Sequence, residues 1–106
     1  MAFLKLDQIE PKEIVPGGVA RFVHSDNLTF AHWIFKAGAE FPEHSHPHEQ
    51  VVNMIEGEFE LIIDGAAKRL SPGDVAIVEP NASHAGTSLT DCRIIDVFYP
   101  VREDYR

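Results

Sequence analysis

Short hydrophobic runs separated by turn residues are the dominant pattern of this chain. Val, Ile, Phe and Leu fill the runs, whereas Gly, Pro, Asn and Asp cluster between them. No long segment carries the 3.6-residue period of an amphipathic helix, and short runs of this kind are typical of strands in a β-sandwich or β-barrel. The pattern predicts strands at residues 19–23, 28–35, 50–55, 59–63, 67–70, 75–78, 84–88 and 92–99.

The segments between these strands are predicted to be turns and loops. Asp64-Gly65 is a strong hairpin signal because both residues tolerate a positive φ. Residues 7–12 could form a helical turn, and Phe41-Pro42 begins a stretch that we expect to be irregular. The polar tail 100–106 is expected to pack across one mouth of the barrel. The chain should therefore form a single all-β domain over residues 1–106, with its barrel core at about residues 19–100.

The balance of charge limits the partners that the chain can have. Its formal net charge is −8, which argues against nucleic acid and against an anionic membrane as partners. A small anionic substrate would need a local positive charge, from a metal ion or an arginine. The first residues lack the features of a signal peptide, and no apolar run reaches the roughly 18 residues of a membrane span. We therefore expect a cytoplasmic protein.

Cysteine usage and size bear on how the fold is stabilised. Cys92 is the only cysteine, so the chain has no internal disulfide, and this residue is expected to be a buried small hydrophobe. A domain of 106 residues has a thin core, and association would add to the buried surface. Val51 and Ile55 would both lie on the outward face of their strand, so we expect a homodimer.

A cluster of histidines is the first candidate for chemistry. Three of the six histidines, His44, His46 and His48, fall within five residues, and Gln50 continues the same spacing of two. This spacing places side chains on one face of an extended strand. Unpaired imidazoles facing a barrel interior are costly to desolvate, whereas a bound metal makes them favourable. A solvated histidine-rich loop, or one that grips a metal adventitiously, is the alternative.

The last predicted strand holds a second candidate. Asp96 is a lone carboxylate among Ile94, Ile95, Val97 and Phe98, and such a residue must be paired or functional. Arg102 could pair with Asp96, or it could hold a substrate carboxylate with its planar fork. In the first case the two residues would form a salt bridge that holds the tail in place.

The motifs around the histidines resemble the two-part signature of the cupin superfamily. The first part matches at every spacing, through Gly38, His44, His46, Gln50 and Gly57. The second part begins at Pro72-Gly73-Asp74 and reaches His84, with departures at Glu79, Asn81 and Ser88. The resemblance implies the cupin jelly roll, or double-stranded β-helix, and a metal held by His44, His46, Gln50 and His84.

Gln50 stands where cupins usually place a glutamate ligand. A neutral amide leaves the full +2 charge on the metal, which favours Lewis-acid chemistry over redox cycling. Zn, Ni, Mn and Fe all suit three histidines and one amide. Alternatively, Gln50 is only structural and the metal has three histidine ligands. His48 is not a ligand position in the signature, so we expect it near the mouth of the site.

Three segments resemble the KdgF-type pectin-degradation cupins more closely. They are His-Ser-His-Pro-His-Glu-Gln from residue 44, Glu-Gly-Glu-Phe-Glu-Leu-Ile-Ile-Asp-Gly from residue 56, and Asp-Val-Phe-Tyr-Pro-Val-Arg-Glu-Asp-Tyr from residue 96. The resemblance implies isomerase- or lyase-type ring opening of 4,5-unsaturated uronates, the products of polyuronate lyases, to linear keto sugar acids. It also implies that Asp96, Phe98 and Arg102 line the substrate pocket.

Roles and alternatives follow from this assignment. Asp96 and Arg102 are the expected catalytic residues. For Asp96 the reason is that a carboxyl group in apolar surroundings can have the raised pKa of a proton shuttle. Arg102 would hold the substrate carboxylate. Phe98, Arg102 and Met54 are the expected substrate contacts. A metal-dependent small-cupin dioxygenase is the alternative enzyme, and a non-catalytic cupin that binds a sugar or effector is the alternative of another class.

Overall fold

The computed structural model describes residues 1–106, which form ten strands and two short 3₁₀ turns. The strands are β1 (Lys12–Val15), β2 (Gly18–His24), β3 (Thr29–Phe35), β4 (Glu40–His44), β5 (Glu49–Glu56), β6 (Phe59–Ile63), β7 (Ala66–Leu70), β8 (Val75–Val78), β9 (His84–Ser88) and β10 (Cys92–Tyr99). The 3₁₀ turns lie near the two ends of the chain, at Leu6–Gln8 and Glu103–Tyr105. None of these helical segments has the length or hydropathy needed to cross a bilayer.

Two antiparallel sheets form the domain. A six-stranded sheet has the order β1-β2-β3-β10-β5-β8, and a four-stranded sheet has the order β4-β9-β6-β7. The ladders do not join the two sheets, so the fold is a jelly roll of two facing sheets whose strands do not close into one continuous barrel. This confirms the expected all-β jelly roll.

The core lies between the sheets and consists of the residues at every second position along the strands. In β3 and β10 every second residue is buried, starting with Thr29 and Cys92 respectively. A side-chain period of two sends those residues to one face of the sheet. The buried apolar residues form one cluster of 15, and Cys92 belongs to it, as predicted.

Most strand predictions agree with the structure to within two residues, but two strands were missed. β4 pairs with β9 where the sequence predicted an irregular stretch, and the pairing is itself irregular, because its register shifts between Phe41 and His44. β4 is an edge strand, and Pro42 lies at this irregularity; edges and bulges are the places where a strand tolerates proline. β1 is also at an edge and pairs with β2. The helical turn expected at 7–12 is a 3₁₀ turn that ends at Gln8.

Two turns have the backbone that their residues predict. At the β6–β7 hairpin Asp64 and Gly65 have φ values of 48° and 82°, as the type I′ turn requires. Asn81, before β9, has a φ of 67°, which asparagine tolerates better than most side chains. The Asn81 N–H donates to the His46 carbonyl at 2.8 Å, so this turn fastens the approach to β9 onto the histidine loop.

Candidate metal centre

A cavity opens between the two sheets. Its wall is mostly apolar with a few polar groups, as is typical of small-molecule sites. The residues that line it come from both sheets and from the tail: Trp33, Phe35, Phe41, His44, Gln50, Val52, Phe59, Leu61, His84, Ala85, Gly86, Ile94, Asp96, Phe98, Arg102 and Tyr105.

Three histidines converge at this cavity. His44, the last residue of β4, lies directly opposite His84, the first residue of β9. His46 comes from the loop that follows β4. One ring nitrogen from each of the three lies within 4.8 Å of the others. The chain therefore brings together the three imidazoles that the sequence proposed as ligands, although by strand pairing and a loop and not by one extended run.

Backbone carbonyls fix the orientation of all three rings. The Nδ1 atoms of His44, His46 and His84 lie 2.8, 3.1 and 2.9 Å from the carbonyl oxygens of Pro42, His48 and Ala82. Carbonyls only accept, so each Nδ1 carries the hydrogen and each Nε2 keeps its lone pair. Such outer contacts orient histidine ligands in metal sites. Nε2 of His84 is buried without any hydrogen-bond partner, so its lone pair fits the role of a metal ligand.

Gln50 supplies an amide oxygen to the same place. Its side chain is buried, and its Oε1 lies 3.1 Å from Nε2 of His46. Gln50 reaches this position because β5 pairs it with Val78 on one side and with Phe98 on the other. The donor set of three Nε2 atoms and one amide oxygen fits a divalent transition metal or zinc.

Burial favours the neutral form of His46 and His84, which is the form that binds metal. Desolvation lowers the pKa of His46 to about 4, and the charge of Arg102 and the neighbouring His84 act in the same direction. Burial also lowers the pKa of His84. His48 is half-buried and serves the centre through its carbonyl, which accepts from His46, while its own Nδ1 has no partner.

Asp96 lies on the cavity wall and is almost fully buried. Its Oδ2 accepts a hydrogen bond of 3.0 Å from the indole N–H of Trp33, whereas its Oδ1 has no partner. Burial raises the pKa of Asp96 to about 7, although the Gln50 amide, the Trp33 indole and the charge of Arg102 all favour the carboxylate. A carboxyl group with this pKa can both donate and accept a proton near neutral pH.

The structure corrects the suggested salt bridge between Asp96 and Arg102. The Nε and Nη2 atoms of Arg102 donate instead to the two carboxylate oxygens of Asp104, at 2.9 and 2.7 Å. The guanidinium also lies over the rings of Phe98 and Tyr105, 4.8 and 4.2 Å from their centroids. The 3₁₀ turn at Glu103–Tyr105 explains the change of partner, because it brings Asp104 back towards the arginine only two residues earlier.

The two expected apolar contacts lie in different places. Phe98 is on the cavity wall, with its ring edge towards His46 at a centroid distance of 5.7 Å. Met54 faces the interior but is among the largest fully buried side chains and is not part of the cavity wall. The structure therefore brings Phe98, and not Met54, to a position where it can contact a ligand.

Sequence reasoning missed three residues of the site. No sequence motif pointed to Trp33, yet it is the hydrogen-bond partner of Asp96. Asp104 holds Arg102, and Tyr105 stacks on Phe22 at 4.5 Å and lines the cavity. For the last two, the expectation that the tail crosses a barrel mouth was the available signal.

Comparison with known proteins identifies a matching family, a similar sequence and two similar structures. Residues 31–98 match the family described as Cupin domain. The chain is 32% identical over 104 residues to the pectin degradation protein KdgF of Dickeya dadantii, covering 94% of both proteins. The solved structure of KdgF from Halomonas sp. has a TM-score of 0.93 at 28% identity, covering 100% of this chain and 99% of that one. An RmlC-like cupin from Shewanella frigidimarina has a TM-score of 0.93 at 34% identity, covering 100% and 96%.

Proposed function

Because this chain belongs to the cupin family, we propose that it is a metal-dependent enzyme that opens 4,5-unsaturated uronates and converts them to linear keto sugar acids. The observation that carries the proposal is the convergence of three oriented imidazoles, a buried carboxyl group and a guanidinium on one cavity. The names of the two KdgF relatives support the choice of substrate, since pectin degradation yields unsaturated uronates.

The substrate has three features that a site must meet. It carries a carboxylate, it is a cyclic enol ether, and its C1 is a hemiacetal. During the reaction the bond between C1 and the ring oxygen breaks while the C1 hydroxyl loses its proton, which leaves an aldehyde and an enol at C5. The enol becomes a ketone when C4 gains a proton and the enol oxygen loses one. The reaction is an isomerisation and needs no oxidant or reductant.

Residues His44, His46, Gln50 and His84 would hold the metal ion. When bound there, a divalent cation supplies Lewis-acid stabilisation of negative charge on substrate oxygens. The amide of Gln50 adds no negative charge to this set, so the centre would keep its full attraction for anionic oxygen.

Arg102 is proposed to bind the substrate carboxylate. Asp104 occupies the edge of the guanidinium formed by Nε and Nη2, so the end-on edge formed by Nη1 and Nη2 stays available for a second carboxylate. The side chain of Asp104 is 58% exposed and is not part of the cavity wall. It therefore holds the arginine from the solvent side while the other edge serves the cavity.

Asp96 is proposed to move the proton. At a pKa near 7 it can accept a proton from a sugar oxygen and return it to C4, so the same carboxyl group serves both halves of the reaction. Its apolar neighbours exclude water and so keep its pKa near neutral pH. Phe98 contributes a flat apolar wall beside the metal ligands.

The test is turnover of a polyuronate lyase product. We expect the protein to accelerate the loss of the ultraviolet absorbance of the 4,5-double bond, and we expect a chelator to return the rate to the spontaneous one until metal is added back. Oxygen consumption during turnover would favour the dioxygenase instead. Tight binding of the unsaturated uronate without its conversion would favour a sugar-binding cupin, and either result would contradict the proposal.

Replacement of Arg102 by lysine should raise KM for the unsaturated uronate about tenfold, with a smaller effect on kcat. Lysine keeps the charge but loses the planar fork that accepts a carboxylate with two parallel hydrogen bonds. The matched control is Arg69→Lys, since Arg69 is exposed and pairs with Glu58 away from the cavity. Equal KM values for the two variants would contradict carboxylate recognition by Arg102.

We also propose that two copies associate through the outer face of the six-stranded sheet. Ile34, Ile55, Val75 and Ile77 are exposed there. Among the exposed outward positions of β3, β10, β5 and β8 the only carboxylates are Glu49 and Glu56, at the two ends of β5, and Glu56 lies opposite Arg93. A chain of net charge −8 therefore presents a nearly uncharged apolar face on this side, where a second copy meets little repulsion.

Sedimentation analysis should give the mass of a dimer for the native chain and of a monomer for Ile77→Lys. The added ammonium would be buried in the interface without a partner. This costs several kcal/mol, which is comparable to the free energy of a modest dimer contact. Leu89→Lys, which adds the same charge at an exposed position after β9, should stay dimeric. A native chain that sediments as a monomer would overturn this assignment.

A further inference from the structure

Trp33 donates a hydrogen bond to the proposed proton carrier, whose carboxylate form the Gln50 amide also favours. Its indole N–H donates to Oδ2 of Asp96 at 3.0 Å, and the two residues are 63 positions apart in sequence. Both side chains are almost completely buried, and both lie on the cavity wall. The contact therefore joins β3 to β10 inside the site.

Strand register sets the direction of this contact. β3 pairs with β10 so that Ala31 lies opposite Asp96 and Trp33 lies opposite Ile94. Trp33 and Asp96 are thus diagonal neighbours on the same inward face, a separation that a long aromatic side chain spans. The reach of the indole to the carboxylate follows from the pairing of the strands and not from a mobile loop.

Three aromatic rings hold the indole in place. Phe35 stacks on it at a centroid distance of 4.9 Å and an angle of 15°. Phe22 and Phe41 meet it edge to face, at 6.2 and 5.7 Å. Rings packed on several sides cannot rotate without moving their neighbours. The N–H bond of Trp33 therefore points at a fixed place in the cavity.

The hydrogen bond distinguishes the two oxygens of the carboxyl group. Oδ2 has the indole as its partner, whereas Oδ1 has none and is shielded from bulk water. An unpartnered oxygen in such a place is costly to keep in the folded protein. A binding or catalytic role for Asp96 would account for this cost.

We propose that Trp33 is a positioning residue: its indole N–H holds Oδ2 and so fixes the plane in which the Asp96 carboxyl group exchanges a proton with the sugar. This inference rests on the proposed ring-opening function and deepens it. It assigns a role in the reaction to a side chain that would otherwise be counted only as core.

A purely structural role for the bond predicts a different outcome. If the indole served only to satisfy a buried oxygen, its loss would lower stability and leave the turnover of the folded protein unchanged. If it positions Asp96, loss of the N–H lowers kcat while KM stays nearly constant, because Arg102 and the metal ligands bind the ground state without it. Groups that support reacting side chains are worth about 10–100-fold in activity.

The chain offers an atom-level test because Trp33 is its only tryptophan. Growth of a tryptophan-requiring host on 3-benzothienylalanine replaces the N–H by sulfur in a ring of nearly the same shape. Growth on 4-fluorotryptophan keeps the N–H and is the matched control. We expect kcat to fall at least tenfold for the benzothienyl protein with KM changed less than about threefold, and we expect both values near native for the fluoro protein. Trp33→Phe is a coarser second variant with the same expected split between kcat and KM.

Nuclear magnetic resonance reports the hydrogen bond without any turnover. A single indole N–H resonance is expected in ¹⁵N-labelled protein, shifted downfield by the carboxylate, and it should move upfield in Asp96→Leu and less so in Asp96→Asn, which keeps an oxygen acceptor. Unchanged kcat in the folded benzothienyl protein, or an indole resonance indifferent to Asp96→Leu, would overturn the inference. Absence of turnover in the native protein would contradict the proposed function instead, and the resonance would still show whether Trp33 holds Asp96.

Discussion

Replacement of His84 by alanine should strip the protein of bound divalent metal and reduce the conversion of unsaturated uronates to the spontaneous rate. His84 offers a buried Nε2 that no protein group satisfies, and the carbonyl of Ala82 holds its ring by Nδ1. Removal of this ligand leaves two imidazoles and an amide. Loss of an outer partner alone costs about 10–100-fold in metal affinity, so loss of the ligand itself should exceed 100-fold. Metal content after dialysis and the rate of ring opening measure the two effects.

Two further variants separate the loss of the metal from a loss of folding. His84→Gln keeps much of the side-chain volume and should also lose metal, although less completely, because an amide oxygen is a weaker ligand than an imidazole. His32→Ala, on the outward face of β3, should keep both metal and activity. A His84→Ala protein with full metal content and the native rate would show that the metal lies elsewhere.

The sheet framework was predictable because its signal is local. A strand with one buried face alternates apolar and polar residues, and this pattern is visible along residues 19–23 and 92–99 without knowledge of any partner strand. β1 and β4 were missed because they are edge strands with little buried surface, so that their residues alternate weakly. Pro42 also argues against a strand until the strand is known to lie at an edge.

The candidate metal ligands were predictable for a different reason. His44, His46, Gln50 and His84 carry scarce side-chain types at spacings that match a known signature, so the resemblance identified them as candidates without a geometric model. The argument from spacing alone was less sound. It placed the histidines on one extended strand, whereas β4 ends at His44 and His46 belongs to a loop.

The partners of the charged and polar residues were not predictable. A lone carboxylate and a nearby arginine suggested a salt bridge, but Arg102 finds a closer partner in Asp104 because the tail turns at Glu103–Tyr105. The Trp33–Asp96 bond depends on the register between β3 and β10, and register cannot be read from one strand at a time. Long-range polar contacts of this kind determine the chemistry of the site and leave almost no trace in the sequence pattern.

Replacement of Asp96 by asparagine should lower kcat for ring opening by about 10²–10⁴-fold, the range that a positioned general acid or base contributes. Asparagine has nearly the same shape and its oxygen can still accept from Trp33, so metal content and KM should change little. Asp26→Asn is the matched control, because it makes the same chemical change at an exposed carboxylate between β2 and β3 that does not line the cavity. A normal rate for Asp96→Asn would exclude the proton-transfer role.

The same variant should be more stable than the native chain at pH 8, and the difference should shrink as the pH falls towards 5. Burial raises the pKa of Asp96 from 3.8 to about 7, so between these values the folded protein binds more protons than the unfolded chain. The free energy of unfolding therefore falls as the pH rises through this interval, and the native chain is least stable above pH 7. Asparagine does not ionise and avoids this loss.

We expect thermal unfolding with chelator present to show a gain in Tm of at least about 4 °C at pH 8, the shift that ~1 kcal/mol produces in a domain of this size. A difference in Tm that is the same at pH 5 and pH 8 would mean that Asp96 is ionised throughout, and such a carboxylate could not return a proton to C4.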